Sequence, residues 1–298
     1  MRLEDDGAPV MAADRASWLA GGERLELGGH RLFVRQDGPE GGVPVTLLHG
    51  FPTSSHDWAP VVPALVAAGL RVTTLDLLGF GESDKPHPHA YRLVEQADLV
   101  EAAWSRLGIG ATALVAHDYG VSVAQELLAR DAERITHAAW LNGGIYPELH
   151  RPLAIQRLLR GPLGPLLARL ARESTFTASM RRILGRPVGA PALHEMWESV
   201  RSRDGARVQP ALLGYIDERR EHGARWVAAI EAYAGPLLFA WGPADPVSGA
   251  HVLERLRERL PRASFVVLDA APPVGHYPQV EDPATVAAAL AGFLAPPA

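Results

Sequence analysis

The sequence predicts an α/β fold: a mostly parallel sheet flanked by helices, interrupted by one helical insertion. Three observations carry this reading. Short, continuous apolar runs alternate with helix-sized stretches over most of the 298 residues, as strands covered on both faces require. The alternation stops after residue 142 and resumes near 234. An apolar run at 111–116 passes through a turn of small residues straight into a helical stretch.

The elements follow in order. Runs at 25–27 and 30–35 flank Gly28-Gly29, the signature of an antiparallel hairpin. Buried-looking strands are expected at 43–48, 70–75, 111–116 and 135–141, with helices at 93–107 and 119–130 between them. From 143 to 233 the chain reads as helical and is broken by prolines at 147, 152, 162, 165, 187, 191 and 210. The strand pattern returns at 236–241 and 264–268, with helices at 251–260 and 283–294. The expected organisation is one discontinuous core of residues 24–142 and 234–298. Residues 143–233 form a helical lid on it, and residues 1–23 an N-terminal extension.

Composition narrows the function classes. With 47% hydrophobic and 21% charged residues, the chain is not mainly disordered. No run approaches 18 apolar residues, so no spanning helix is expected. Cysteine is absent, which removes disulfides, thiolate chemistry and zinc–thiolate sites. That absence, with an acidic start lacking an apolar leader, fits a cytoplasmic protein. The net charge of −5 gives no reason to expect nucleic-acid binding. Charge is uneven, however: residues 151–225 hold 14 arginines against 7 acidic residues. Leucines between 153 and 170 are interleaved with Arg157, Arg160 and Arg169. The favoured reading has these leucines roofing an apolar pocket while the arginines face water; the alternative is a surface that touches membrane.

Three segments carry chemistry. In 114–124 the strand enters an elbow centred on Asp118, with Ala116 and Gly120 as the small residues such a crowded turn needs. The elbow would aim Asp118 above the amides that open the next helix; the plainer reading is a helix cap. Asp245 lies in a turn just past one strand, and His276 in the loop after the next. Nucleophile, acid and histidine in that chain order, each beyond a strand's carboxyl end, form a hydrolytic triad pattern. His49-Gly50-Phe51 follows the strand at 43–48. The backbone amides of Phe51 and Tyr119 are the expected oxyanion donors, with His49 a structural hydrogen-bonding residue.

The stretches HGFPTSSHDW (49–58), LDLLGFGESDKP (75–86), AHDYG (116–120), NGGIYPELHRP (142–152), WGPADPV (241–247) and HYPQVEDP (276–283) resemble the α/β-hydrolase superfamily. The likeness is to its epoxide hydrolase and haloalkane dehalogenase branch, and within that to the mesoderm-specific-transcript-like family and its bacterial relatives. It covers nearly all of residues 24–295.

An aspartate at the elbow suits displacement at saturated carbon, giving an alkyl-enzyme ester that His276, oriented by Asp245, hydrolyses with an activated water. No metal or organic cofactor is required. Epoxide hydrolysis to vicinal diols is the first expectation and haloalkane dehalogenation the second. A non-catalytic binding protein ranks behind both, since the whole triad is present. Dehalogenases resembling this chain typically carry a tryptophan directly after the nucleophile, where this chain has Tyr119. The resemblance to epoxide hydrolases implies two lid hydroxyls on the ring oxygen: Tyr215 is one candidate, and His150 or Tyr146 the other. The expected partners are a hydrophobic small molecule and water.

Overall fold

The computed structural model describes residues 14–295. Its strands are β1 (Gly22–Leu27), β2 (His30–Asp37), β3 (Val43–Leu48), β4 (Leu70–Leu75), β5 (Thr112–Ala116), β6 (Ile135–Leu141), β7 (Leu237–Trp241) and β8 (Ser264–Val267). They form one sheet in the order β1-β2-β4-β3-β5-β6-β7-β8. The β1–β2 and β2–β4 pairs are antiparallel and the rest parallel. Gly28 and Gly29 make the hairpin turn with φ of 57° and 82°, a left-handed pair that a side chain would strain. β1 begins at Gly22, earlier than its apolar run, because its first residues pair with β2 at the edge of the sheet.

The continuous apolar strands are buried on both faces, as their composition requires. Neighbours along a strand point to opposite sides. Leu48, Leu114 and Trp140 therefore join one core with Trp104 and Leu127, from helices Leu93–Arg106 and Tyr119–Arg130. Leu47, Val115 and Leu141 join the other with Leu65 and Leu290, from helices Val62–Ala67 and Pro283–Leu294.

Of the stretch read as an N-terminal extension, residues 1–13 lie outside the described residues. The helix Arg15–Ala20 packs on the core through Trp18, which is buried and donates its indole N–H to Ser55 Oγ at 3.3 Å.

Between β6 and β7 the described chain contains helices and no strand. The helices Ala154–Leu159, Gly164–Arg169, Glu173–Met180, Ala190–Arg201 and Gln209–Leu212 are short, and proline opens several of them. Tyr215–Ala232 is longer and fastens the insertion to the core. Its Trp226 donates to Glu126 Oε2 at 2.5 Å, Arg225 pairs with the same carboxylate, and Glu218 accepts the Leu93 amide at 2.6 Å. No described helix is long and apolar enough to cross a membrane.

Candidate active site

The parallel strands β3, β5, β6, β7 and β8 end at one edge of the sheet, so the loops that follow them converge. From β3 the chain crosses to β4 on one side and returns to β5 on the other, leaving a crevice beyond their carboxyl ends. Phe51 follows β3, Asp118 follows β5, Asn142 follows β6, Asp245 follows β7 and His276 follows β8. One sheet edge thus gathers residues more than 220 positions apart in sequence.

Asp118 occupies the elbow with φ 44° and ψ −106°, a left-handed conformation that is costly for a residue with a side chain. The turn is held from both sides: the Asp118 amide donates to Asn142 O at 2.9 Å, and the Gly120 amide to His49 O at 3.0 Å. A Cβ at Gly120 would lie 2.7 Å from the Leu48 and His49 carbonyl oxygens, so only glycine lets the helix start this close to β3. The Phe51 amide donates to Asp118 Oδ2 at 3.0 Å. Tyr119 opens the helix Tyr119–Arg130, and the first N–H of a helix has no carbonyl within it to bond. Of the two amides read from the sequence, that of Phe51 binds the carboxylate, and that of Tyr119 is the adjacent first N–H of the helix.

His276 donates from Nδ1 to Asp245 Oδ2 at 2.8 Å, and its Nε2 lies 3.7 Å from Asp118 Oδ1, an ion-pair separation longer than a hydrogen bond. Asp245 is also saturated with donors: Val247 N at 2.7 Å, Ser248 Oγ at 2.6 Å and Asn142 Nδ2 at 3.0 Å. Burial pushes both carboxyls up, but the imidazolium of His276 and these donors outweigh it and hold both below the usual carboxylate range. Burial pushes His276 down; Asp245 and Asp118 outweigh it and hold its pKa well above the ordinary 6.5. At rest the site is a buried carboxylate–imidazolium–carboxylate row.

Several residues that hold this row stand inside the motifs read from the sequence, with no local sign of the partners they reach. Asn142 donates to both Asp245 Oδ2 and Gly242 O, and its Oδ1 accepts the Gly242 amide at 2.7 Å, locking the β6 and β7 loops together. His117 donates from Nε2 to the His276 carbonyl at 2.7 Å while Nδ1 accepts from Gln279 at 3.1 Å. Burial, with the positive His276 beside it, lowers its pKa to about 4, so it is a neutral strut. His49 is structural as read: its Nδ1 donates to Gly50 O and its Nε2 accepts the Leu77 amide.

A cavity of about 310 Å³ opens over Asp118 and His276. The insertion supplies most of its wall, including Leu153, Leu159, Leu167, Phe176 and Met180, with Gln156 and Trp197 among the few polar groups. Tyr215 is buried with its ring against Phe51 and Tyr119, at 6.3 and 5.2 Å between centroids. Its hydroxyl accepts from Gln156 Nε2 at 3.3 Å, which leaves its own proton free to be donated.

Tyr146 and His150 are placed elsewhere. Both line a second cavity of about 600 Å³ behind the helix Tyr215–Ala232, and the Tyr146 hydroxyl is given to Glu231 at 3.3 Å. Neither is among the residues that line the Asp118 cavity, nor is Tyr215, although His150 is near enough to feel the charges of Asp118 and His276. Arg219 lines this second cavity, buried with Nε and Nη2 lacking a hydrogen-bond partner and its guanidinium 5.7 Å from the Tyr215 ring. Among the described residues one group could gather a metal ion, His30, His89 and Glu95, and none of the three lines the Asp118 cavity.

Comparison with known proteins agrees with this fold. Residues 43–283 match the family model described as alpha/beta hydrolase fold. The mesoderm-specific transcript homolog protein of Bos taurus is 40% identical over 302 residues, covering 96% of this chain and 89% of the relative. LipZ of Mycobacterium tuberculosis is 42% identical over 284 residues, covering 93% and 96%. The solved haloalkane dehalogenase DbeA from Bradyrhizobium elkani superposes with a TM-score of 0.79 at 24% identity, over 92% of this chain and 97% of that one, a likeness of fold alone.

Proposed function

This chain belongs to the α/β-hydrolase fold family, and on that premise we propose that it hydrolyses epoxides to vicinal diols through an ester formed on Asp118. The observation that carries the proposal is the elbow residue itself: a carboxylate kept ionised, with Oδ2 bound by the Phe51 amide and Oδ1 facing His276. A serine at this position would attack a carbonyl carbon; a carboxylate is the better nucleophile for displacement at saturated carbon.

In the first step Asp118 Oδ1 bonds to an oxirane carbon while the ring C–O bond breaks. Its electron pair leaves as an alkoxide, which takes the hydroxyl proton of Tyr215. Esterification removes the Asp118 charge, one of the two anions that raise His276, so the imidazolium now sheds its proton to solvent. Neutral His276 takes a proton from water, and the hydroxide attacks the Asp118 carboxyl carbon. The amides of Phe51 and Tyr119 hold the resulting oxyanion. Collapse breaks the ester bond, His276 returns a proton to the departing oxygen, the acid proton left on Asp118 restores Tyr215, and His276 regains from solvent the proton it had shed. The net change is epoxide plus water to diol. The apolar walls favour hydrophobic epoxides, and Asp118, Asp245 and His276 need no metal for these steps.

Haloalkane dehalogenation is the second reading, and Trp197 favours it: it lines the same cavity, and an indole N–H is the type of donor that cradles halide. Of the two candidate tyrosines, Tyr215 packs against Phe51 and Tyr119 while Tyr146 is paired with Glu231, which brings the two readings closer together.

A His276→Gln variant distinguishes them, because it retains alkylation and blocks hydrolysis. After incubation with mixed epoxides and mixed haloalkanes, intact mass and peptide mapping read the adduct. A whole epoxide on Asp118 is expected. An alkyl group lacking its halogen moves the assignment to a dehalogenase. Adducts that spare Asp118, or no adduct from either class, overturn the nucleophile and favour a binding protein.

A further inference from the structure

All the large hydrophobic side chains that the described chain exposes lie in one short stretch of the insertion. They are Ile155, Leu158, Leu163, Leu166 and Leu170, and the last three are 62%, 56% and 64% exposed. A surface of scattered single leucines needs no explanation, but a cluster confined to two adjacent helices marks an interaction site. The same stretch carries Arg151, Arg157, Arg160, Arg169 and Arg172, all surface-exposed, and no acidic residue from 149 to 172. Arg160 has an acidic partner in Asp217, which belongs to another helix. The patch is therefore apolar and cationic, in a chain whose net charge is −5.

The patch is also continuous with the mouth of the Asp118 cavity. Ile155, Leu158 and Leu170 are exposed and at the same time line that cavity. Leucines that only roofed a pocket would turn inward; Leu163 and Leu166 are not among the cavity-lining residues and extend the apolar face outward.

We propose that this face docks on an anionic phospholipid surface, with the leucines entering the headgroup–acyl boundary and the arginines pairing with lipid phosphates. Charge selects this occupant: a second copy of the chain would bring the same arginines against these, whereas a negative bilayer complements them. Docked in this way, the mouth of the cavity faces the layer in which an apolar substrate dissolves. The inference concerns binding alone and stands whichever reaction Asp118 performs.

Flotation of the purified full chain with vesicles tests it. One set is pure phosphatidylcholine and the other contains roughly a third phosphatidylglycerol, a composition chosen for its negative surface potential. Binding is expected on the anionic set, at least about tenfold weaker on the neutral set, and reduced in 0.5 M salt, where the Debye length is only about 4 Å. Leu163→Ser with Leu166→Ser, and separately Arg157→Glu with Arg169→Glu, are each expected to weaken binding at least about tenfold. These positions are exposed, so circular dichroism melts should match the parent, and Arg262→Glu, elsewhere on the surface, should bind as the parent does. No flotation on anionic vesicles overturns the proposal, as does flotation indifferent to the leucine pair. Sedimentation showing self-association that the leucine pair abolishes, without vesicle binding, would instead make the patch an interface between copies.

Discussion

The sheet edge and the inserted helices that cover it are built on opposite principles. At the edge, each reactive group is fixed by backbone position and by several buried donors: Asp245 accepts four hydrogen bonds, from His276, Asn142, Val247 and Ser248. Across the insertion most helices are short and several open on proline, and their large apolar side chains divide among the core, the cavity wall and solvent. The difference teaches a division of labour. Chemistry that tolerates little positional error sits on the rigid sheet, and the choice of substrate and surroundings sits on elements held by side-chain packing.

The comparison breaks first at Asp118. Asp118→Asn keeps a residue type that accepts the left-handed backbone but removes the anionic nucleophile. Turnover of any epoxide or haloalkane that the parent accepts should fall by at least about a thousandfold, while circular dichroism shows the fold retained. A variant retaining a tenth of the activity would move the nucleophile elsewhere.

Asn142→Ala tests whether edge rigidity matters beyond the reacting groups. It leaves the Asp118–His276 pair untouched but unlinks Asp245 from the Gly242 loop. A loss of about 1–3 kcal/mol in chemical denaturation is expected from the buried groups it strands. Turnover should drop about ten- to a hundredfold, the range seen when a group that orients a reactive residue is removed. Full activity would show that the remaining donors to Asp245 suffice.

The charged row also sets how stability depends on pH. His276 has a raised pKa in the folded chain, so its contribution is complete below the unfolded value of 6.5 and is lost as pH rises through the folded one. Asp118 and Asp245 have lowered values, so their contribution persists above the ordinary carboxylate range and is lost only as pH falls through the lowered ones. Melting temperatures should thus be flattest in the mildly acidic range, above the ordinary carboxylate values and below 6.5, and His276→Gln should remove the part of the decline above it that this residue causes. An unchanged alkaline limb would count against the imidazolium at rest.

Tyrosines give the finest test. Tyr215→Phe should lower epoxide turnover about tenfold or more, within the span of a lost acid catalyst, and spare haloalkane turnover. Tyr146→Phe should leave turnover within about twofold, as changes away from the reacting groups usually do. A large effect of Tyr146 would mean that the insertion rearranges to bring it to Asp118.

Legibility followed the same boundary. Asp118, Asp245 and His276 are each visible because a strand, a turn and small or kinked residues surround them within a few positions. Asn142 and His117 stand inside quoted motifs but act on partners 100 and 159 positions away, and nothing local marks that reach. Within the insertion, Tyr146 and Tyr215 are equivalent as tyrosines on a helical background. Packing separates them, giving one hydroxyl to Glu231 and setting the other beside Gln156.

The sequence by itself determined the sheet, its hairpin, the interrupted helical segment and the order of the three reactive residues. Those features rest on periodicity and turn chemistry, which are local properties of a chain. The tertiary structure alone decided which donors saturate Asp245, which residues wall the cavity, where Arg219 is buried and which leucines face water. Each of those depends on how separate helices meet, and the apolar pattern of a short helix specifies that it must be covered without naming the surface that covers it.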